Sequence, residues 1–141
     1  MVGSCLCVEI QFRLARNPLG LYQCHCSLCR KQSGAPASAA TLVHKDHFSW
    51  QKGKELIHSY IKSTGFRSDF CSKCGAPVPN IVGKGQYMWV PAGALNTSEK
   101  FEIVAHLFME SKVAWESAPT HGEIFTTGPG IEALFKLLNE E

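Results

Sequence analysis

Apolar and polar residues alternate along several short stretches of the chain. Residues 8–14 alternate without a break, which is the period-2 pattern of a half-buried β-strand. Two later runs, 80–82 and 86–90, are joined by Gly83-Lys84-Gly85 and predict a β-hairpin. Further strands are predicted at 39–43, 48–50, 56–61 and 101–109. Because Gly and Pro separate these short strands, the pattern favours a mainly β domain with antiparallel sheets.

The C-terminal segment has a different period. Ile131, Leu134, Phe135 and Leu138 are spaced i, i+3, i+4 and i+7, and Pro129 precedes them. This spacing predicts an amphipathic C-terminal helix whose apolar stripe packs on the sheet.

Composition narrows the class of protein. A length of 141 residues predicts one domain spanning residues 1–141, and 45% hydrophobic residues can form a real core. The net charge of 14 − 12 = +2 is too small for a nucleic-acid-binding surface, so no nucleic-acid partner is expected. No apolar run approaches the ~18 to 20 residues of a membrane span, and the N-terminus lacks signal-peptide features. We therefore expect a cytoplasmic protein without a membrane partner.

The seven cysteines are the unusual feature of the composition. An odd number fits full disulfide pairing badly, and all seven fall in three tight groups, which is typical of zinc ligands. A structural zinc has four protein ligands and a catalytic zinc has three, so four plus three is the natural division. Spacing alone leaves open which groups combine, and a four-thiolate site from Cys26, Cys29, Cys71 and Cys74 is one alternative. The groups are Cys5 and Cys7, then Cys24, Cys26 and Cys29, then Cys71 and Cys74.

These motifs resemble the glutathione-dependent formaldehyde-activating enzyme family, which includes centromere protein V. The most specific segment runs from Cys24 to Gly34 and reads CHCSLCRKQSG, and the weaker matches extend from Gly3 to about Trp115. The resemblance implies a zinc-stapled β-tent (Mss-four-like) fold. The sequence departs from the family pattern at Val8, where a glycine is usual, and at Ala76, where a serine is usual. The late Pro-Trp and acidic Leu-Pro pattern is also reduced, to Val113-Ala114-Trp115 and Ala118-Pro119.

The resemblance also implies the ligand sets and the activity. Cys5, Cys7, Cys71 and Cys74 are predicted to hold a structural zinc, and Cys24, Cys26 and Cys29 a catalytic zinc, giving two zinc ions per chain. The implied activity is that of a carbon-sulfur lyase like S-(hydroxymethyl)glutathione synthase, in which glutathione is the cosubstrate and formaldehyde or a similar small aldehyde is the partner substrate. Three thiolates on a divalent ion leave a net negative charge, so Arg30 and Lys31 are predicted to offset it and to contact the glutathione carboxylates.

Other functions compete with this hypothesis. A zinc-stapled protein-binding module of the same fold class would not need a three-thiolate site, and a redox protein would use Cys26 and Cys29 as a dithiol. His25 is expected to point away from the ion that its neighbours share and to have a structural or supporting role; proton transfer and metal ligation are the alternatives. His106 is expected to be a buried, hydrogen-bonded histidine.

Overall fold

Residues 1–140 form eleven short strands and two α-helices, which confirms the predicted mainly β class with a C-terminal helix. The computed structural model describes residues 1–140, so Glu141, the last residue of the predicted domain, lies outside the described residues. The strands are β1 (Val2–Ser4), β2 (Gln11–Leu14), β3 (Leu21–Cys24), β4 (Ser38–His44), β5 (Phe48–Lys52), β6 (Ile57–Ile61), β7 (Arg67–Cys71), β8 (Asn80–Val82), β9 (Tyr87–Pro91), β10 (Ile103–Leu107) and β11 (Glu123–Ile124), and the helices are α1 (Ser27–Ser33) and α2 (Ile131–Asn139).

The strands form three sheets. The largest has the order β11-β10-β3-β4-β9-β8, a second has the order β1-β2-β5, and β6 pairs with β7 in a two-stranded sheet. Most pairs are antiparallel, as predicted, but β10 is parallel to both β3 and β11. The parallel β3–β10 pair brings residues 21–24 beside residues 103–107, although about eighty positions of sequence separate the two strands.

One face of the six-stranded sheet forms the main core. Because side chains alternate between faces, Tyr22 and Cys24 of β3 share this face with Leu42 of β4 and Leu107 of β10. Helix α2 covers one end of the face with Leu134 and Leu138, which are buried. The predicted packing of the C-terminal helix on the sheet is therefore confirmed.

Helix α2 is also fixed by its C-terminal end. The carbonyl of Leu138 accepts backbone hydrogen bonds from Leu19 at 2.9 Å and Gly20 at 3.3 Å, and Asn139 Nδ2 donates to the carbonyl of Leu42 at 2.9 Å. The Phe135 ring stacks on Tyr87 with centroids 4.6 Å apart. Among residues 1–140 no helix combines the length and the apolar character needed to cross a membrane.

Candidate metal centres

A four-thiol cluster joins the N-terminus to the two-stranded sheet. Its members are Cys5, Cys7, Cys71 and Cys74, whose sulfurs all lie within 4.8 Å of one another. Cys5 Sγ is 3.6 Å from Cys7 Sγ, and Cys7 Sγ is 3.8 Å from Cys71 Sγ. These separations are far beyond a disulfide bond of ~2.05 Å and match the roughly 3.8 Å between two sulfurs that each lie ~2.3 Å from a tetrahedral zinc. The donor set and its spacing therefore fit a structural zinc.

Two tight turns aim these sulfurs at one point. In the first, the amide of Val8 donates to the carbonyl of Cys5 at 3.2 Å, and the amide of Ile10 donates to Cys5 Sγ at 3.3 Å. In the second, the amide of Gly75 donates to the carbonyl of Cys71 at 2.8 Å, and Gly75 has φ +76°. A left-handed residue closes each turn, and glycine adopts this conformation at no steric cost.

The four thiols strongly influence one another's ionisation. A backbone hydrogen bond at Glu9 favours the Cys7 thiolate, but loss of solvent and the neighbouring thiols raise the pKa of Cys7 to about 11. Burial opposes ionisation of Cys74, but backbone hydrogen bonds at Ala76 and Cys7 outweigh it and lower the pKa of Cys74 to about 6. Ionisation of one thiol therefore disfavours ionisation of its neighbours, and a bound divalent cation would offset the repulsion between the thiolates.

The second cluster contains Cys24, Cys26 and Cys29, whose sulfurs also lie within 4.8 Å of one another. Cys24 ends β3, Cys26 is the N-cap of α1, and Cys29 lies in the first turn of that helix. Cys26 Sγ accepts a hydrogen bond from the amide of Cys29 at 3.4 Å, so the cap itself places two of the sulfurs together. The end of β3 and the start of α1 therefore bring three thiols from six consecutive residues close together.

These three thiols also ionise unequally. A hydrogen bond from the Cys29 thiol lowers the pKa of Cys24 to about 6, and the same interaction together with burial strongly raises the pKa of Cys29. The all-sulfur donors, their convergence and this mutual repulsion fit a soft or borderline divalent cation such as zinc.

The structure decides between the cysteine groupings that spacing alone left open. Within residues 1–140 the sulfurs of Cys26 and Cys29 do not gather with those of Cys71 and Cys74, so the alternative four-thiolate site is wrong. All seven cysteines are free thiols. The two groupings implied by the family resemblance are the ones that the fold brings together.

His25, between two members of the three-thiol cluster, is completely buried and has partners for both ring nitrogens. Its Nδ1 lies 3.0 Å from Glu116 Oε2, and its Nε2 lies 3.2 Å from Nδ1 of His106. His106 Nε2 in turn lies 3.0 Å from the carbonyl oxygen of His121. Burial, together with the nearby His25, lowers the pKa of His106. The His25 ring thus points into a buried hydrogen-bond chain, and Glu116 anchors that chain although no motif in the sequence singles it out.

Arg30 and Lys31 have different surroundings. Arg30 Nη1 donates to the carbonyl of His25 at 3.0 Å and also to the carbonyl of Ser111. This nitrogen therefore ties the three-thiol loop to the segment after β10, and the contact of Arg30 with a glutathione carboxylate stays a prediction. Lys31 is exposed on α1 and has no hydrogen-bond or ion-pair partner among residues 1–140, so its ammonium group is free to meet an anion.

Tyr22 and Trp89 also lie beside the three-thiol cluster. Burial and the nearby thiols of Cys29 and Cys24 raise the pKa of Tyr22, so its hydroxyl stays protonated. Trp89 packs against the same core cluster as Cys26 and Cys29. Because residues i and i+2 of a strand lie on the same face, the sequence could have predicted that Tyr22 lies beside Cys24. Trp89 lies on β9, and only the pairing of strands in the sheet brings it beside the cluster.

A cavity of about 630 Å³ lies between the four-thiol cluster and helix α1. Cys5 of the four-thiol cluster lines it on one side, and Gln32 and Ser33 of α1 line it on the other. Ser38, which also lines it, pairs directly with Cys24 across β3 and β4. The three thiols do not line the cavity, which approaches their cluster through Ser38, the strand partner of Cys24, and through α1, the helix that carries Cys29.

Comparison with known proteins identifies the family. The sequence model described as glutathione-dependent formaldehyde-activating enzyme matches residues 1–111, which include all seven cysteines. A crystal structure of a Rhodobacter sphaeroides protein is similar in fold, with 18% sequence identity and a TM-score of 0.59, and the match covers 74% of this chain and 100% of that chain. The chain therefore belongs to the glutathione-dependent formaldehyde-activating enzyme family.

Proposed function

We propose that this chain is a zinc-dependent carbon-sulfur lyase resembling S-(hydroxymethyl)glutathione synthase. It would join the thiol of glutathione to formaldehyde or a similar small aldehyde. The observation that carries the proposal is the convergence of Cys24, Cys26 and Cys29 within 4.8 Å, because three protein ligands are typical of catalytic rather than structural zinc.

One set of residues would bind the two metal ions, and another set would keep the three-thiol loop in position. Cys24, Cys26 and Cys29 would bind one zinc, and Cys5, Cys7, Cys71 and Cys74 a second, structural one. Zinc bound to the three thiols would supply a Lewis acid that keeps a thiol deprotonated at neutral pH. Arg30 and the His25–Glu116 pair would keep the loop in place by their contacts with the backbone and with each other.

The cavity beside helix α1 supports a peptide-like thiol as the cosubstrate. Polar side chains of Ser4, Gln32, Ser38 and Asn96 line it and can exchange hydrogen bonds with the amides and carboxylates of glutathione. Lys31 on the adjacent helix would add a positive charge for a carboxylate. In the net reaction a sulfur–carbon bond forms, the carbonyl π bond breaks, and the thiol proton ends on the new hydroxyl oxygen.

Thiols add to formaldehyde without a catalyst, so the amount of adduct at equilibrium is not informative. The test therefore measures the rate at which the adduct forms and breaks down. Two-dimensional exchange NMR on glutathione and formaldehyde should show interconversion with S-hydroxymethylglutathione at least about tenfold faster with catalytic amounts of zinc-loaded protein, ~1.4 kcal/mol off the barrier. Cys29→Ser should return the rate to the protein-free value. A folded, fully zinc-loaded protein that leaves the rate unchanged would contradict the proposal.

Glutathione binding can be tested separately. Calorimetry should show weaker glutathione binding to Lys31→Met than to the unmodified protein, while Lys84→Met, which removes an exposed lysine that does not line the cavity, should bind normally. A metal content of about one zinc per chain with no glutathione binding would instead favour the alternative, a zinc-stapled protein-binding module.

A further inference from the structure

A second, apolar pocket of about 270 Å³ lies between the six-stranded sheet and the start of α2. Tyr22, Leu42, Trp89 and Leu107 form its sheet wall, and Ile131 and Leu134 of α2 lie opposite. Every residue that lines it is aliphatic, aromatic, glycine or proline. At just under the ~300 to 1,000 Å³ of pockets that enclose a whole ligand, it suits one hydrocarbon part of a ligand.

The pocket adjoins the three-thiol cluster through side chains of its sheet wall. Leu107 pairs with Cys24 across β10 and β3, and Tyr22 precedes Cys24 by two residues on the same face. Two residues of a strand span only about 7 Å. Cys26 and Cys29 pack against the same cluster of side chains that forms the pocket wall. A molecule reacting at the thiols could therefore place a short substituent in the pocket.

The wall opposite the sheet is not part of the family match. That match ends at residue 111, whereas Ile131 and Leu134, with the loop before them, come from the segment after it. Formaldehyde has no hydrocarbon group to occupy such a space. The pocket is thus a feature for which the family's named substrate provides no use.

We propose that this pocket holds the alkyl group of the carbonyl substrate, so that the substrate class is aldehydes with a short hydrocarbon chain. The inference rests on the function proposed above. Sulfur would add to the carbonyl carbon, the carbonyl π bond would break, and the thiol proton would end on oxygen, giving a hemithioacetal whose chain lies against Tyr22, Trp89 and Leu107. Burial of that chain among apolar side chains favours the longer aldehyde over formaldehyde.

The test compares two stable glutathione thioethers, S-methylglutathione and S-butylglutathione, by calorimetry on the zinc-loaded protein. The butyl compound should bind at least about tenfold more tightly, equivalent to ~1.4 kcal/mol. Equal affinities would overturn the alkyl pocket and leave the glutathione site standing. No binding of either compound would overturn the glutathione proposal and the pocket's role together.

A matched pair of variants on β8 locates the effect. Val82 lines the pocket and pairs with Tyr87, whereas the adjacent Ile81 pairs with Met88 and so faces the other side of the sheet. Val82→Phe should fill the pocket and reduce the butyl advantage below about threefold, while Ile81→Phe should keep it. A butyl advantage that survives in a folded Val82→Phe protein would overturn the assignment. If Val82→Phe does not fold, the comparison of the two thioethers on the unmodified protein still decides.

Discussion

At the scale of single residues, Val8 shows how the departure from the family pattern affects the structure. Val8 has φ +69°, in the left-handed region where a β-branched side chain is strained. The turn needs that conformation because Val8 closes the loop that carries Cys5 and Cys7. A glycine at this position, as is usual in the family, would fit without strain.

Val8→Gly should therefore stabilise the protein. Relief of strain of ~1 to 3 kcal/mol is partly offset by ~0.5 to 1 kcal/mol of glycine chain entropy, so we expect a gain of about 1 kcal/mol. Urea unfolding of the zinc-loaded protein measures it. Val2→Gly, in the extended strand β1, is the control and should change stability in the opposite direction. A lower free energy of unfolding for Val8→Gly would contradict the strain argument.

A second residue-scale feature is the anchoring of His25 by Glu116. His25 is completely buried, and the carboxylate is its partner at Nδ1. A buried polar nitrogen left without a partner costs about as much as a lost hydrogen bond or more.

Glu116→Ala should destabilise the protein by about 1 to 3 kcal/mol, because it leaves His25 Nδ1 unpaired. Thermal or urea unfolding detects the change. Glu110→Ala removes an exposed carboxylate six residues earlier and should stay within about 0.5 kcal/mol of the unmodified protein. Equal stabilities for the two variants would show that the buried chain contributes nothing.

At the scale of elements, the parts that the sequence predicted are those with a clear period. The hairpin of β8 and β9 and the helix α2 form where the turn residues and the apolar spacing place them. The strand predicted over residues 8–14 is wrong in its first half, since β2 begins at Gln11. Period-2 alternation cannot detect a left-handed residue such as Val8, which breaks the strand.

The elements that carry the three-thiol cluster were the hardest to predict. Helix α1 has seven residues and none of them is buried, so it has no apolar stripe to recognise. Strand β3 has only four residues, and its parallel partner β10 lies about eighty positions later. The cysteine pattern indicated the chemistry, but the contacts with Glu116 and Trp89 are long-range and leave no local signal.

Helix α2 provides the prediction at this scale. Leu138 is completely buried in the main core, so Leu138→Ala should cost about 2 to 5 kcal/mol through lost burial and a cavity. The free energy of unfolding from a urea titration measures it. Lys136→Ala, on the exposed side of the same helix, should change stability by less than about 0.5 kcal/mol. A cost below 1 kcal/mol for Leu138→Ala would mean that the helix does not stabilise the sheet.

At the scale of the whole molecule, the two thiol clusters connect very different lengths of chain. Cys5 and Cys71, both buried, link residues more than sixty positions apart and join the N-terminal turn to the two-stranded sheet. Cys24 and Cys29 lie within a single strand-to-helix connection. Closing the long link constrains the unfolded chain more than closing the short one, by roughly 2 kcal/mol.

Loss of the two clusters should therefore have unequal effects on folding. Metal binding to structural zinc peptides contributes ~10 to 16 kcal/mol, as much as the ~5 to 15 kcal/mol stability of a typical domain. Cys71→Ser should leave the chain largely unfolded, whereas Cys29→Ser should lower the zinc content by about one ion per chain and keep the cooperative unfolding transition. Circular dichroism and metal analysis on the same samples measure both effects. A Cys71→Ser protein with an unchanged melting temperature would show that the core alone holds the sheets together, and a Cys29→Ser protein that fails to fold would show that the three-thiol cluster is structural.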